Sequence, residues 1–283
     1  MKILCLLKTT GYELHRTRWG SLPLFTKKHL QENHTVQQKA EKVLRDALHE
    51  TDWNVTYVKD TTKHKFDCDD YDLVLTLGGD GTFLSAAQHC SSTSILGINS
   101  NPHTNPKKGS IGALTSVCIK DIRNVLQKIQ QKQYNIETWP RLHAMINGKS
   151  LSQTAVNEIY IGPVEQDQTA NFKITAGTKS EIVISSGIII ATKQGSSAWY
   201  RNAGGKPFSR NKMGFVVREP NLMRNPLFTQ GTTSSAITIH VGDKNCFLSF
   251  DSRKEMRYKL KQGEYKVVIR QSLRKGVNVV LVV

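Results

Sequence analysis

The sequence predicts an α/β domain over residues 1–135 followed by an all-β domain over residues 136–283. Three observations predict it. In the first part, short apolar runs alternate with stretches of helical periodicity, the order expected of an open, mostly parallel sheet. One of those runs, Asp72–Leu77, is nearly continuously apolar, as a strand buried on both faces must be. In the second part, short β-rich runs follow one another with turn residues between them.

The elements follow in order. Ile3–Leu7 reads as the first strand; it is too short for a secretory hydrophobic region and no small-residue cleavage site follows, so no removable leader is expected. Ala40, Val43, Leu44, Ala47 and Leu48 recur at helical spacing and predict a helix over residues 35–49. Trp53–Val58 is a second strand, and Asp72–Leu77 a third. A glycine-rich turn leads from it into a helix over about Thr82–His89. Ile95–Ile98 is a strand, and Ile122, Val125, Leu126 and Ile129 mark a helix face. The β-rich runs are Leu142–Ile146, Glu158–Ile161, Phe172–Thr175, Glu181–Ile184, Ile188–Thr192, Ala236–Val241 and Tyr265–Ile269. Val279–Val283 either returns to the first domain or completes the second.

Composition narrows the class. The chain has 283 residues, 38% of them hydrophobic, which supplies a sizeable core. No apolar run reaches the length of a membrane span, and no heptad or internal repeat is evident, so a membrane protein, a coiled coil and a repeat array are excluded. Lys+Arg number 39 and Asp+Glu 23, a net charge of +16. Such a charge attracts polyanions. The basic residues are dispersed and no RNP or zinc-finger pattern accompanies them, so nucleic acid is not expected as a partner. The five cysteines, Cys5, Cys68, Cys90, Cys118 and Cys246, are odd in number and form no CxxC pair. They suggest neither a disulfide framework nor a zinc site, and are assigned to core packing in a reducing, cytoplasmic setting.

The chemistry concentrates in Gly78-Gly79-Asp80-Gly81-Thr82, placed between a buried strand and a helix. Glycines there let backbone N–H groups approach phosphate oxygens, and the helix N-terminus favours their charge. A carboxylate repels phosphate, so Asp80 must do something else, such as take a proton from a hydroxyl nucleophile or hold a cation. The alternative is a tight strand-to-helix turn with Asp80 as N-cap.

GGDGT in this context resembles the superfamily of NAD kinases, diacylglycerol and sphingosine kinases and, more distantly, phosphofructokinases. Ala155–Gly162 resembles the Asn-Glu motif of NAD kinases, and Ser185–Trp199 their second glycine-rich motif. Lys8–Glu13, Ser185-Ser186-Gly187 and Arg218-Glu219-Pro220 resemble the mitochondrial-type branch, and the Gly-Thr-Gly-Asn-Asp signature of lipid kinases is absent. The resemblance implies an N-terminal α/β nucleotide-binding domain, a C-terminal β-sandwich and a site between them. It implies transfer of the γ-phosphoryl of ATP to the 2′-hydroxyl of the adenosine ribose of NAD, giving NADP. ATP is the implied co-substrate, with polyphosphate an open alternative donor, and Mg²⁺ or another divalent cation the implied cofactor, its ligands unassigned.

Residue roles come with the resemblance. Asp80 is the implied base, and Gly78, Gly79, Gly81 and Thr82 line the phosphates. Asn157 and Glu158 take the adenosine portion of NAD. Thr192, Gly195, Ser196, Ser197 and Ala198 form a second turn at a helix N-terminus. Ser186 stands near the nicotinamide end, where the widespread branch carries an aspartate, so a weaker electrostatic preference for NAD⁺ over NADH is expected. Trp199 either stacks on ligand or packs in the core, and Asp251 matches an aspartate of the family's C-terminal strand region. Lys107 and Lys108 sit in a loop that departs from the widespread branch, on the expected ligand side of the sheet; they either reach ATP phosphates or belong to a solvated basic loop, the reading preferred here. A homodimer or higher homo-oligomer is expected. The alternatives are a lipid kinase sharing GGDGT and a non-catalytic dinucleotide sensor.

Overall fold

The computed structural model describes residues 1–61, 67–102, 109–209 and 212–282. The chain divides into two units, Met1–Thr138 with Val277–Val283, and Trp139–Gly276.

The first unit is built on β1 (Lys2–Lys8), α1 (Gly11–Leu14), α2 (Leu24–His49), β2 (Asn54–Asp60), β3 (Leu73–Gly78), α3 (Asp80–His89), β4 (Ser94–Asn99), β5 (Val117–Cys118) and α4 (Ile122–Gln130). β2, β1, β3 and β4 lie side by side in parallel, and Val279 near the chain end pairs in parallel with Ile95 of β4. The central strands are apolar on both faces because helices cover them. Cys5, Leu7, Leu75, Leu77 and Ile98 share one core with Ala40, Leu44 and Leu48 of α2 and with Ile122, Val125, Leu126 and Ile129 of α4. α2 starts eleven residues before the predicted helix, directly after Pro23, whose fixed φ suits a helix entry. Its first turn exposes Leu24 and Phe25, so no buried face marks that turn in the sequence.

Strand order locates the site of this unit. The chain passes from β1 to its neighbour β2, then returns past β1 to β3 on the other side. The order therefore reverses between β1 and β3. In open α/β sheets ligands bind outside the carboxyl ends of the strands at such a reversal. Here those ends are Lys8 and Gly78–Gly79, just past the Leu7–Leu77 pair.

The second unit opens with the long β6 (Tyr134–Ile146), which begins in the first, and continues through β7 (Lys149–Ala155), β8 (Glu158–Pro163), β9 (Ala170–Ala176), β10 (Lys179–Ser185), β11 (Gly187–Ala191), α5 (Trp199–Asn202), β12 (Met213–Arg218), β13 (Gln230–Thr233), β14 (Ile237–Val241), β15 (Cys246–Phe250), β16 (Arg257–Leu260) and β17 (Tyr265–Val282). One antiparallel sheet runs β13-β12-β11-β8-β15-β16. In the other, β10, β9, β14 and the start of β17 are neighbours. Ile159, Ile161, Ile188, Ile190, Phe215 and Leu248 of the first sheet share a core with Phe172, Ile174, Ile237, Ile239 and Val267 of the second, which makes a β-sandwich. The outer face of the six-stranded sheet is buried too, because Tyr160, Ile189, Tyr200 and Phe247 are covered by Trp199, Ala203 and Phe208. An α/β unit with an all-β sandwich is the fold class the sequence predicts.

The cysteine assignment needs correction. Cys68 and Cys90 form a disulfide, while Cys5, Cys118 and Cys246 are free. The segment before β3 and the end of α3 bring the two Cα atoms within 4.9 Å, a proximity that a spacing of 22 residues does not reveal. Closing a loop of this size stabilises a fold by about 3 kcal/mol. Thiol titration of the unfolded chain without reductant is expected to find three reactive thiols rather than five; a count of five would refute the bond.

Candidate functional site

In the first unit, β3 runs straight into the GGDGT turn. Gly78 is buried, and a Cβ there would lie 2.2 Å from Oγ1 of Thr82, so the strand end admits only glycine. Gly79 is the N-cap of α3, and a Cβ there would meet Oγ of Ser110 at 2.9 Å. Gly81 has open space around it. The N–H groups of Thr82 and Phe83 donate to the Gly79 carbonyl at 3.0 and 3.3 Å, so those of Asp80 and Gly81 are the ones that the first turn of the ten-residue α3 leaves over. Asp80 is the first helical residue rather than the cap. Its carboxylate accepts from the backbone N–H groups of Ala113 (3.2 Å) and Leu114 (2.9 Å). A carboxylate has about four lone-pair sites, so these two bonds aim it and leave acceptor capacity. Lys8, at the end of β1, lies beside the turn: its Cβ is 3.1 Å from where a Cβ on Gly78 would be. Next to it, Thr10 caps α1 in a capping box with Glu13, and its hydroxyl is 2.9 Å from Nδ1 of His34, on which Tyr12 stacks.

In the second unit, Asn157 and Glu158 are buried at the start of β8, and Glu158 shares the face of Tyr160. Their backbone is held from two sides. The Asp251 carboxylate accepts from the N–H groups of Val156 (2.9 Å), Asn157 (2.7 Å) and Glu158 (3.2 Å). On the carbonyl side, Thr192 N–H donates to Asn157 O at 2.9 Å and Thr192 Oγ1 to Val156 O at 2.5 Å. A Cβ on Gly195 would lie 2.1 Å from Asn157 O. The side-chain atoms Oδ1 of Asn157 and Oε2 of Glu158 have no hydrogen-bond partner among the described residues. Leaving a buried polar atom unpaired costs about 1–3 kcal/mol, which a polar ligand repays.

Burial pushes the Glu158 carboxyl up to about 8; the Asp251 charge adds to the rise, and the 3.1 Å hydrogen bond from Ser252 Oγ opposes it. Burial also raises Asp251 to about 6, against the pull of its three N–H donors and of Arg141. At neutral pH the pair is therefore mainly a neutral acid beside a carboxylate, which gives Glu158 a proton to donate.

The second turn is tighter than its sequence implies. Gly195–Ser197 is one 3₁₀ turn and α5 is four residues long, too short to collect an anion-attracting dipole. Thr192 is fully buried and its hydroxyl is committed to the backbone; Ser196 Oγ donates to Lys193 O at 2.7 Å. Ser197 is exposed and Ala198 half-buried. Trp199 packs 5.0 Å from the Tyr160 ring centroid, with the Arg218 guanidinium over both rings. Ser186 is buried, and its hydroxyl donates to Glu219, a residue held at φ +46°. Lys107 and Lys108 lie outside the described residues. Lys8 and Glu219 entered the sequence reading only inside motifs of the branch resemblance, with no role of their own, and the anchoring use of Asp251 was not read. The position of Lys8, directly after an apolar strand core, is a signal available for the first; the other two depend on strand pairing.

A parallel sheet with a glycine-rich turn at its order reversal, followed by a β-sandwich bearing a buried Asn-Glu pair, defines a two-domain nucleotide-binding enzyme class. The comparisons identify it further. Residues 21–134 match the ATP-NAD kinase N-terminal domain. The NAD kinase of Natronomonas pharaonis is 30% identical over 190 residues, covering 64% of this chain and 67% of that protein. The NAD kinase of Thermoplasma volcanium is 29% identical over 197 residues, 68% of each chain. In fold, the chain is similar to an NAD kinase from Archaeoglobus fulgidus solved in complex with ATP, with TM-score 0.70, 18% identity, and coverage of 100% of this chain and 94% of that one. It is also similar to yeast NADH kinase complexed with NADH, with TM-score 0.66, 18% identity, and coverage of 99% and 83%. The chain belongs to the NAD kinase family and is an enzyme, a transferase. The lipid-kinase and sensor alternatives find no support among these relatives.

The acid pair sets a pH dependence. An exposed glutamate ionises near 4.5 and Glu158 in the fold near 8, so the unfolded chain releases a proton that the fold retains. Stability from this group is full below about 4.5 and is lost as pH rises through about 8. Thermal melts are expected to show the wild type losing Tm between about pH 6 and about 8, with Glu158→Gln losing clearly less. Parallel curves for the two proteins would refute the raised acid.

Proposed function

We propose that this chain transfers the γ-phosphoryl of ATP to the 2′-hydroxyl of the adenosine ribose of NAD, forming NADP. The observation that carries the proposal is the GGDGT turn at the strand-order reversal of a parallel sheet, in a member of this family. The free N–H groups at the start of α3 meet the phosphates, with Gly78, Gly79, Gly81 and Thr82 shaping the approach. Lys8, exposed beside Gly78, adds positive charge there. Asp80 takes the proton of the attacking hydroxyl, aimed by its bonds to Ala113 and Leu114.

A divalent cation, Mg²⁺ or another, supplies charge neutralisation on the phosphates when bound. Among the described residues, no cluster of three or more His, Cys, Asp or Glu side chains is formed. One carboxylate, Asp80, with substrate oxygens and water matches the sparse protein donor set usual for Mg²⁺. Asn157 and Glu158 take the adenosine portion of NAD through their unpartnered oxygens, and Ser197 and Ala198 are the accessible members of the second turn. We place the chain in the mitochondrial-type branch on Lys8–Glu13, Ser185–Gly187 and Arg218–Pro220, acting as a homodimer; the cytoplasmic setting read from unpaired cysteines loses that support with the Cys68–Cys90 bond. No helix among the described residues is long and apolar enough to cross a membrane.

Incubation with ATP, Mg²⁺ and NAD, with NADP read out enzymatically, tests the function. In the same assay Asp80→Asn is expected to lower kcat by about 10²–10⁴, the usual cost of losing a general base. A folded Asp80→Asn protein with near-wild-type turnover would remove Asp80 from that role.

The neutrality expected at Ser186 is revised by Glu219, whose carboxylate accepts from the Ser186 hydroxyl. The Ser186 bond, followed by the nearby Arg218, holds the Glu219 carboxyl below its ordinary value, so it is charged at neutral pH. On this reading the charge that favours the cationic ring of NAD⁺ over NADH comes from Glu219. Because Glu219 is largely exposed, its effect is about 1 kcal/mol or less, a factor of up to about five. Glu219→Gln is expected to shift the ratio of kcat/KM values toward NADH by a factor of this size; an unchanged ratio separates Glu219 from acceptor choice.

A further inference from the structure

We propose that Asp251 is the positioning residue of the acceptor site: its carboxylate gathers the backbone of Val156, Asn157 and Glu158 so that Asn157 and Glu158 present their free oxygens to NAD. The inference rests on the function proposed above and adds a residue to which that reading gives no role.

Three N–H groups in a row donate to one buried carboxylate, and the Asp251 N–H donates back to Glu158 O at 2.9 Å. The backbone bond extends the β8–β15 pairing by one residue, since Asp251 stands opposite Glu158 in the register that pairs Phe250 with Ile159; the three bonds to the carboxylate are added to that pairing. Asp251 and Ser252 both adopt left-handed backbone, at φ +48° and +56°, although neither is glycine. That conformation is unfavourable for both residues, and the carboxylate bonds are what it secures. On the opposite side Thr192 and Gly195 press against the Asn157 carbonyl, so its peptide is fixed at both ends. With the backbone used up in this way, the atoms left over are Asn157 Oδ1 and Glu158 Oε2. The charged groups around the carboxylate are Glu158, whose ionisation it opposes, and Arg141, whose positive charge favours its ionised form. A neutral side chain of the same shape lacks the charge that draws in three donors, and an amide would turn an N–H toward one of them.

The test is steady-state kinetics on the full chain, wild type and Asp251→Asn, varying NAD and ATP separately, with melting curves for both proteins. Asp251→Asn is expected to raise the KM for NAD about tenfold or more and to leave the KM for ATP within about twofold, since a small misplacement of binding groups is costly only for the ligand they hold. A folded variant with unchanged KM for NAD, or with both KM values raised alike, overturns the proposal. If Asp251→Asn does not fold, the wild type decides. Its KM for NAD must rise as pH falls through about 6, where the carboxylate takes a proton, while the KM for ATP stays level. A KM for NAD that is flat from about pH 7.5 to about 5 overturns it equally. Wild-type turnover of NAD is the control. Without it the function reading fails, and the positioning role is then judged from NAD affinity by calorimetry in the same two proteins.

Discussion

The peptide of Asn157 is the point on which the second unit's chemistry turns. Its N–H belongs to Asp251, and its carbonyl to Thr192 with Gly195 pressed against it. Each contact comes from a different stretch of chain: the end of β15, the end of β11 and the turn beyond it. β11, β8 and β15, neighbours in the six-stranded sheet, must therefore reach their final register before the pair Asn157–Glu158 has a defined direction. The isoleucine-rich runs of β8 and β11 supply that register, because a slip of one residue would carry Ile159, Ile161, Ile188 and Ile190 out of the shared core.

The first unit meets a different constraint. Phosphate recognition by backbone N–H groups needs a strand, a turn without side chains and a helix start in immediate succession. Gly78 answers to Thr82, which leaves no room for a Cβ, and at Gly79 a Cβ would displace the Ser110 hydroxyl. Asp80 is held by a later loop, through Ala113 and Leu114, so the turn and that loop are ordered together. In both units a carboxylate organises backbone N–H groups. Asp80 is half-buried and Asp251 almost wholly buried, and burial raises the Asp251 carboxyl.

Much of the fold was legible because apolar patterning reports burial directly. β1, β3, β4, α4 and most of the sandwich strands coincide with runs read from sequence. The missed strands have identifiable reasons. β7 is polar, β13 and β16 are short edge strands, β5 is two residues long, and β12 follows a glycine-rich stretch that masks its start; β15 was missed although all five of its residues are buried. The early turns of α2 were missed because they bury no apolar face. The Cys68–Cys90 bond left no trace in spacing.

What the sequence by itself determined is the order of α/β and all-β parts, the position of the GGDGT turn between strand and helix, and the family. These depend on local runs and on short motifs read in order. Only the tertiary structure decided that Asp251 anchors Asn157, that Thr192 is spent on the backbone, that Glu219 meets Ser186, and that Lys8 stands beside Gly78. Each of these pairs joins residues that are distant along the chain, between 33 and 94 positions apart. Local patterning says which face of a strand is buried; it does not say which strand lies next to it, and that neighbour sets the polar partner.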